Sequence, residues 1–207
     1  LQFEECLEFR KNITFFVGEN GTGKSTLLEA IAVAEGFNPE GGTKNYNFST
    51  YNSHSELHEA IRMFRGFSKL RFGYFLRAES FYNVASKEEQ YADERHPSQK
   101  YHEKSHGDSF LALAQNTFQP NGLYLLDEPE AALSPQRQLT LLIEISRLAK
   151  EGAQFIIASH SPILLGIPDA QILSFDDGAI HECQYEETES YQVTEMFINN
   201  REYFLSR

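Results

Sequence analysis

The apolar run Ile13–Val17 (ITFFV) breaks off at a turn carrying three glycines, Gly18-Glu19-Asn20-Gly21-Thr22-Gly23, and Lys24-Ser25 follow at once. This passage limits the fold of the chain more tightly than any other. The run is β-branched and aromatic and reads as a buried strand. From Lys24 to about Glu35, the apolar residues Leu27, Leu28, Ile31 and Ala32 recur on one side of a helix. Strand, glycine turn and helix in that order supply the context that G-x-x-x-x-G-K-[ST] requires. Glycines let the backbone wrap closely, so that successive N–H groups and the helix amino terminus face a triphosphate. The residues expected to bind it are Asn20, Gly21, Thr22, Gly23, Lys24, Ser25 and Thr26. Lys24 is expected to reach the β- and γ-phosphates, and the Ser25 hydroxyl to ligate Mg²⁺.

Three further apolar segments read as core strands: 72–76 (FGYFL), 123–126 (LYLL) and 155–158 (FIIA). Gly36, Pro39, Gly41 and Gly42 mark a loop, and Tyr46, Phe48 and Tyr51 suggest strand-like structure before a helix opening near Ser53 or Ser55. The stretch 87–104 is charged and polar and reads as an exposed connection. Ser134-Pro135 begins a helix, since serine caps well and proline suits the first helical position. Leu142, Ile145, Leu148 and Ala149 are expected to form its buried face. The chain after Tyr185 looks helical, and no internal repeat is evident. Strands alternating with helices predict an α/β domain with a largely parallel, covered sheet.

Two of these strands end in reactive side chains. The segment Leu123-Tyr124-Leu125-Leu126-Asp127-Glu128-Pro129 delivers an acidic pair to a strand end, where ligands of open α/β sheets sit. Asp127 is expected to hold Mg²⁺, mainly through coordinated water, and Glu128 to polarise the water that attacks the γ-phosphorus. Such pairs also occur as helix caps or solvated turns; the phosphate loop decides between the readings. In Ile156-Ile157-Ala158-Ser159-His160-Ser161-Pro162 a strand carries one histidine to the same edge, where it can touch the γ-phosphate and help to position the water.

Composition narrows the class. The 207 residues are 41% hydrophobic, enough for a substantial core. No apolar run approaches the length of a membrane span, and no amino-terminal segment resembles a secretory signal. The chain begins at Leu1 rather than methionine, which points to further residues upstream. Cys6 and Cys183 have no framework or metal-ligand spacing and read as reduced thiols of a cytoplasmic protein. The formal net charge is −12, unlike a protein that coats nucleic acid. A local basic strip is the exception: between Glu59 and Glu79 the only ionised residues are Arg62, Arg65, Lys69, Arg71 and Arg77. The plainer reading of that strip is a solvated helix face followed by a strand.

Together these motifs resemble the nucleotide-binding domain of ABC ATPases, including the SMC-like and recombination-repair branches. The runs GENGTGKSTLLEAIA, FLRAESFYNVAS, KSHGDSF, LYLLDEPEAALSPQRQL and QFIIASHSPILL look like those of small stand-alone bacterial ATPases. The resemblance implies a P-loop NTPase fold, with 1–207 as one ABC-type domain interrupted at about 37–104 by a small β/helical arm. It implies ATP and Mg²⁺ as ligands. It also places Ser105-His106-Gly107-Asp108 where ABC proteins carry L-S-G-G-Q, so Ser105 and Gly107 would contact the ATP of a second subunit. Ser105 and Asp108 also have the spacing of a capping box, and both roles can hold at once. Two departures stand out. Glu79 occupies the strand end where many ABC proteins have a metal-binding glutamine. Ser134 replaces the aspartate of the D-loop in the run Ala131-Ala132-Leu133-Ser134-Pro135.

The leading expectation is hydrolysis of ATP to ADP and phosphate by a head-to-tail homodimer, with Lys24, Glu128 and His160 as the catalytic residues. A second reading is a nucleotide-gated clamp on DNA or a protein with slow hydrolysis, motivated by the strip 62–77. A transporter's motor subunit is the third and weakest, because the insertion at 81–104 is short and polar.

Overall fold

The computed structural model describes residues 6–44, 57–66, 72–77 and 106–206, with side chains from 109 onward in the last segment. Six strands form one sheet: β1 (Ile13–Val17), β2 (Phe72–Arg77), β3 (Gly122–Asp127), β4 (Gln154–Ala158), β5 (Gln171–Ser174) and β6 (His181–Glu182). They lie in the order β2-β3-β4-β1-β5-β6. All neighbours are parallel except β5 and β6, which run antiparallel. The helices are α1 (Lys24–Ala34), α2 (Leu57–Ala60), α3 (His106–Thr117), α4 (Pro135–Lys150), α5 (Pro162–Leu165) and α6 (Glu189–Leu205).

Alternate residues of the central strands enter two different cores. Phe16, Phe75, Leu125 and Ile156 pack with Leu27, Leu28 and Ile31 of α1 and with Phe37. Phe15, Tyr74, Tyr124 and Phe155 pack with Phe110 and Leu113 of α3 and Leu141, Ile145 and Leu148 of α4. A sheet covered on both faces has no polar alternation, which is why its central strands read as unbroken apolar runs. Burying each such side chain contributes about 1.5–3 kcal/mol. The four expected strands all form.

The helix at 134–135 also begins as expected: the Ser134 hydroxyl accepts from Arg137 N, and Pro135 is the first helical residue. Ile145, Leu148 and Ala149 form its buried face as expected, while Leu141 is fully buried in place of Leu142, which lies at the margin of the core. β5 and β6 have no counterpart among the expected strands. Only Ile172 and Leu173 of β5 are apolar and neither residue of β6 is, so neither strand registers as an apolar run. The expected strand near Tyr46–Tyr51, the helix start at Ser53 or Ser55 and the polar stretch 87–104 lie outside the described residues. Among the described residues, no helix is long and apolar enough to cross a membrane.

Register brings the strand ends level. Ala158 of β4 pairs with Phe16 of β1 on one side and with Asp127 of β3 on the other, and Asp127 pairs in turn with Arg77 of β2. Val17 is level with Ser174 of β5. Whatever follows these residues therefore emerges along one edge of the sheet.

Candidate active site

Along that edge the turn after β1 carries left-handed backbone at Gly18, Gly21 and Gly23, with φ of 133°, 86° and 99°. Gly23 precedes α1 without a side-chain cap. The first N–H groups of a helix have no intrahelical acceptor, so they remain available to an anion. Lys24 folds back over the turn, donating from Nζ to the carbonyls of Gly18 at 2.7 Å and Glu19 at 2.6 Å. Its side chain is buried. Burial pushes the ammonium below the ordinary lysine range, while the carboxylates of Glu128, Asp176 and Asp127 oppose that shift. A desolvated cation at the centre of an amide-lined turn is suited to phosphate oxygens.

The Ser25 hydroxyl donates to Asp127 Oδ1 at 2.8 Å, which joins the turn after β1 to the end of β3. Among the described residues no three histidine, cysteine, aspartate or glutamate side chains gather to hold a metal by themselves. Mg²⁺ does not need them, since it keeps several waters and takes one or two protein oxygens together with substrate phosphates. The adjacent hard oxygens of Ser25 and Asp127, beside the phosphate turn, fit that ion. Glu79, the third expected metal ligand, lies outside the described residues.

Glu128 has left-handed backbone, φ 47° and ψ 52°. The other described non-glycine residues with positive φ are Asn121, Asp169 and Asp177, types that tolerate this region. A glutamate preceding a proline is doubly restricted, and such backbone costs roughly 1–3 kcal/mol. Its N–H donates to Ala158 O at 2.9 Å. Its Oε1 lies 3.9 Å from Nε2 of His160, the residue that follows β4 by two positions. His160 Nε2 is buried and has no hydrogen-bond partner among the described residues. The strained turn thus points a carboxylate at an imidazole nitrogen that makes no hydrogen bond among the described residues.

Lys24, Ser25, Asp127, Glu128 and His160 are brought to one edge. Asn20, Gly21, Thr22 and Gly23 form the turn, and Thr26 lies in the first turn of α1. Gly107 falls in the first turn of α3; Ser105 lies outside the described residues. The basic strip is divided: Arg65 donates to Glu35 at 2.9 Å and Arg77 to Glu29 at 2.7 Å, both acids being on or just after α1. Lys69 and Arg71 lie outside the described residues.

Two carboxylates at this edge are absent from the sequence reading. Asp176, just past β5, accepts from Glu19 N at 2.9 Å through Oδ1 and from the Ser174 hydroxyl at 3.2 Å through Oδ2. Glu130 Oε1 accepts from Ser159 Oγ and from the N–H groups of His160 and Ser161. Neither carries a motif or a periodic signal. Beside the turn, a cleft of about 500 Å³ opens between Gly18 and His160 on one side and Asp176, His181 and Cys183 on the other.

Residues 2–106 match the family model described as AAA domain, and residues 109–166 match a second AAA-domain model whose description names a Type IV TA system. No curated protein sequence matches the chain. Among solved structures, the chain is similar to an ATP-binding cassette of an ABC transporter in its ADP conformation. That pair shares 21% identity over 93% of this chain and 90% of the other, with a TM-score of 0.49. It is also similar to a dimeric bacterial ABC transporter cassette, at 17% identity over 86% and 88% and a TM-score of 0.48. The SMC head domain from Thermotoga maritima gives 15% identity over 86% and 92%, with a TM-score of 0.46. The first family match alone spans just over half of the chain, so the chain belongs to the AAA-domain family.

Proposed function

We propose that this protein hydrolyses ATP to ADP and phosphate in an Mg²⁺-dependent reaction, within a head-to-tail homodimer that forms on ATP. The observation that carries the reading is the junction of two strand ends at one cradle: the Ser25 hydroxyl bonded to Asp127 at 2.8 Å, beside the buried Lys24 ammonium. Lys24 exchanges its loop carbonyls for the β- and γ-phosphate oxygens. Ser25 and Asp127 would hold Mg²⁺, which would neutralise charge on those phosphates. Glu128 orients the attacking water and accepts its proton, while His160 donates toward the γ-phosphate. Ser105 and Gly107 contact the γ-phosphate of the nucleotide on the second copy. The domain is taken to be one ABC-type unit with an inserted arm at about 37–104.

The test measures phosphate release, ATP binding and oligomeric state for the natural chain and for Glu128→Gln. Removing a general base lowers rate by ~10²–10⁴. The variant is expected to bind ATP normally, turn over very slowly and accumulate as a dimer in light scattering. Turnover that is unchanged in Glu128→Gln ends the assignment.

A further inference from the structure

We infer that Glu130 is a positioning residue that sets the bearing of His160 toward Glu128, an inference resting on the active-site reading above. β4 ends at Ala158, so sheet hydrogen bonds no longer fix the main chain two residues later. The Ser159 N–H still reaches Phe16 O, at 3.2 Å. Beyond it, three consecutive groups turn to one carboxylate oxygen. Ser159 Oγ donates to Glu130 Oε1 at 2.8 Å, His160 N at 2.6 Å and Ser161 N at 3.1 Å. Hydrogen bonds to an ionised acceptor are roughly twice as strong as neutral ones, so this single atom is a strong anchor of the loop, beside the bonds of Ser161 Oγ to Gln138 and of Ser161 N to Ser159 Oγ.

The placement of Glu130 gives the contact its meaning. It lies in the single helical turn Pro129–Ala132, two residues after the strained Glu128. One short segment therefore supplies both the carboxylate that faces the His160 ring at 3.9 Å and the carboxylate that grips the His160 main chain. Any shift of that segment carries the two together, and the separation between Glu128 and the imidazole is preserved. Glu130 Oε2 is buried without a partner among the described residues, so the acceptor duty of the side chain is concentrated in Oε1. A buried polar atom left unpaired costs stability, and such costs are usually retained where position matters.

Steady-state ATPase kinetics and ATP-binding titrations on the full chain test this, using Glu130→Ala, Glu130→Gln, His160→Ala and the double variant Glu130→Ala/His160→Ala. A reacting group displaced by about 1 Å can lose ~10²-fold in rate. Glu130→Ala is therefore expected to lower kcat on that scale while leaving ATP affinity within about twofold. Glu130→Gln keeps an acceptor at Oε1 and is expected to recover most of kcat, including where the alanine variant is less stable. In the His160→Ala background, adding Glu130→Ala is expected to cost nothing more, since residues acting as one unit are not additive. Effects that multiply in the double variant overturn the positioning role, as does a glutamine variant as slow as alanine or a parallel loss of ATP affinity. Absence of turnover in the natural chain overturns the active-site reading itself. Turnover that needs Glu128 and His160 but not Glu130 overturns the positioning role alone.

Discussion

The turn at residues 18–23 and the loop at residues 159–161 reach the same edge of the sheet but are held in opposite ways. The first holds itself: Lys24 bonds to the carbonyls of Gly18 and Glu19, the Thr22 hydroxyl bonds to Glu19 O, and one remote group, Asp176, contributes. The second is held mainly from outside, by the Glu130 carboxylate about 30 positions away and by Gln138, which accepts from Ser161 Oγ. A self-held loop must write its geometry into contiguous residues. A loop held from elsewhere is free of that constraint locally, and its geometry depends on a partner that looks unremarkable in the sequence.

If the first loop holds itself through Lys24, replacing that residue should separate binding from folding. Lys24→Met keeps the apolar stem and removes the charge. Hydrogen bonds to charged groups contribute about 1.5–3 kcal/mol each, so ATP affinity should fall by ~10²-fold in calorimetric titration. The nucleotide-free protein should unfold at an unchanged or higher temperature, because the buried ammonium is held below its ordinary pKa and its charged form is disfavoured in the fold. A lower midpoint with affinity intact would break the comparison, since the lysine would then be a structural brace.

A smaller effect is expected at Gly18, where the turn meets its one remote support. Its φ of 133° suits glycine, and a Cβ there would stand 2.8 Å from Asp176 Oδ1. Gly18→Ala should cost about 1–3 kcal/mol of unfolding free energy in urea titration, from backbone strain and the close contact together. In the Asp176→Ala background only the contact is removed, so part of that cost should persist. Complete recovery would mean that the turn depends on Asp176 more than on its own conformation.

The same division explains what could be read in advance. The strands at 13–17, 72–77, 122–127 and 154–158 are legible because both faces of the sheet are covered and their runs are apolar. Lys24, Ser25, Asp127, Glu128 and His160 are legible because each follows or ends such a strand at a recognisable spacing. β5 is not, having only two apolar residues between Gln171 and Ser174. Without it, the end of the strand that carries Asp176 toward Glu19, 157 positions earlier, has no address in the sequence. Glu130 was hidden differently: it sits inside a recognised segment, but its three donors belong to another. The one exchanged residue on the buried face of α4 has a simpler cause, since Leu141 and Leu142 are adjacent and apolar and only packing selects between them.

The finest test concerns charge, and it is the one place where the self-held turn relies on a distant side chain without losing shape. In Asp176→Asn the amide can still accept from Glu19 N and bond to the Ser174 hydroxyl, so the turn should keep its form and ATP affinity near neutral pH should barely change. What is lost is one of the three carboxylates, with Glu128 and Asp127, that offset the desolvation of Lys24. The Lys24 ammonium should therefore release its proton at lower pH in the variant. Affinity for ATP needs that proton and should fall as pH rises through the lowered lysine value, earlier in Asp176→Asn than in the natural chain. Stability without nucleotide should respond with the opposite sign. Between the folded and unfolded pKa values of this lysine the unfolded chain binds more protons, so its contribution to unfolding free energy rises with pH. Subtracting the Lys24→Met profile isolates that contribution from other titrating groups. Fluorescent-nucleotide titrations and thermal midpoints at matched pH values should thus move in opposite directions. Coincident profiles for Asp176→Asn and the natural chain would leave Asp176 as a brace of the turn and nothing more.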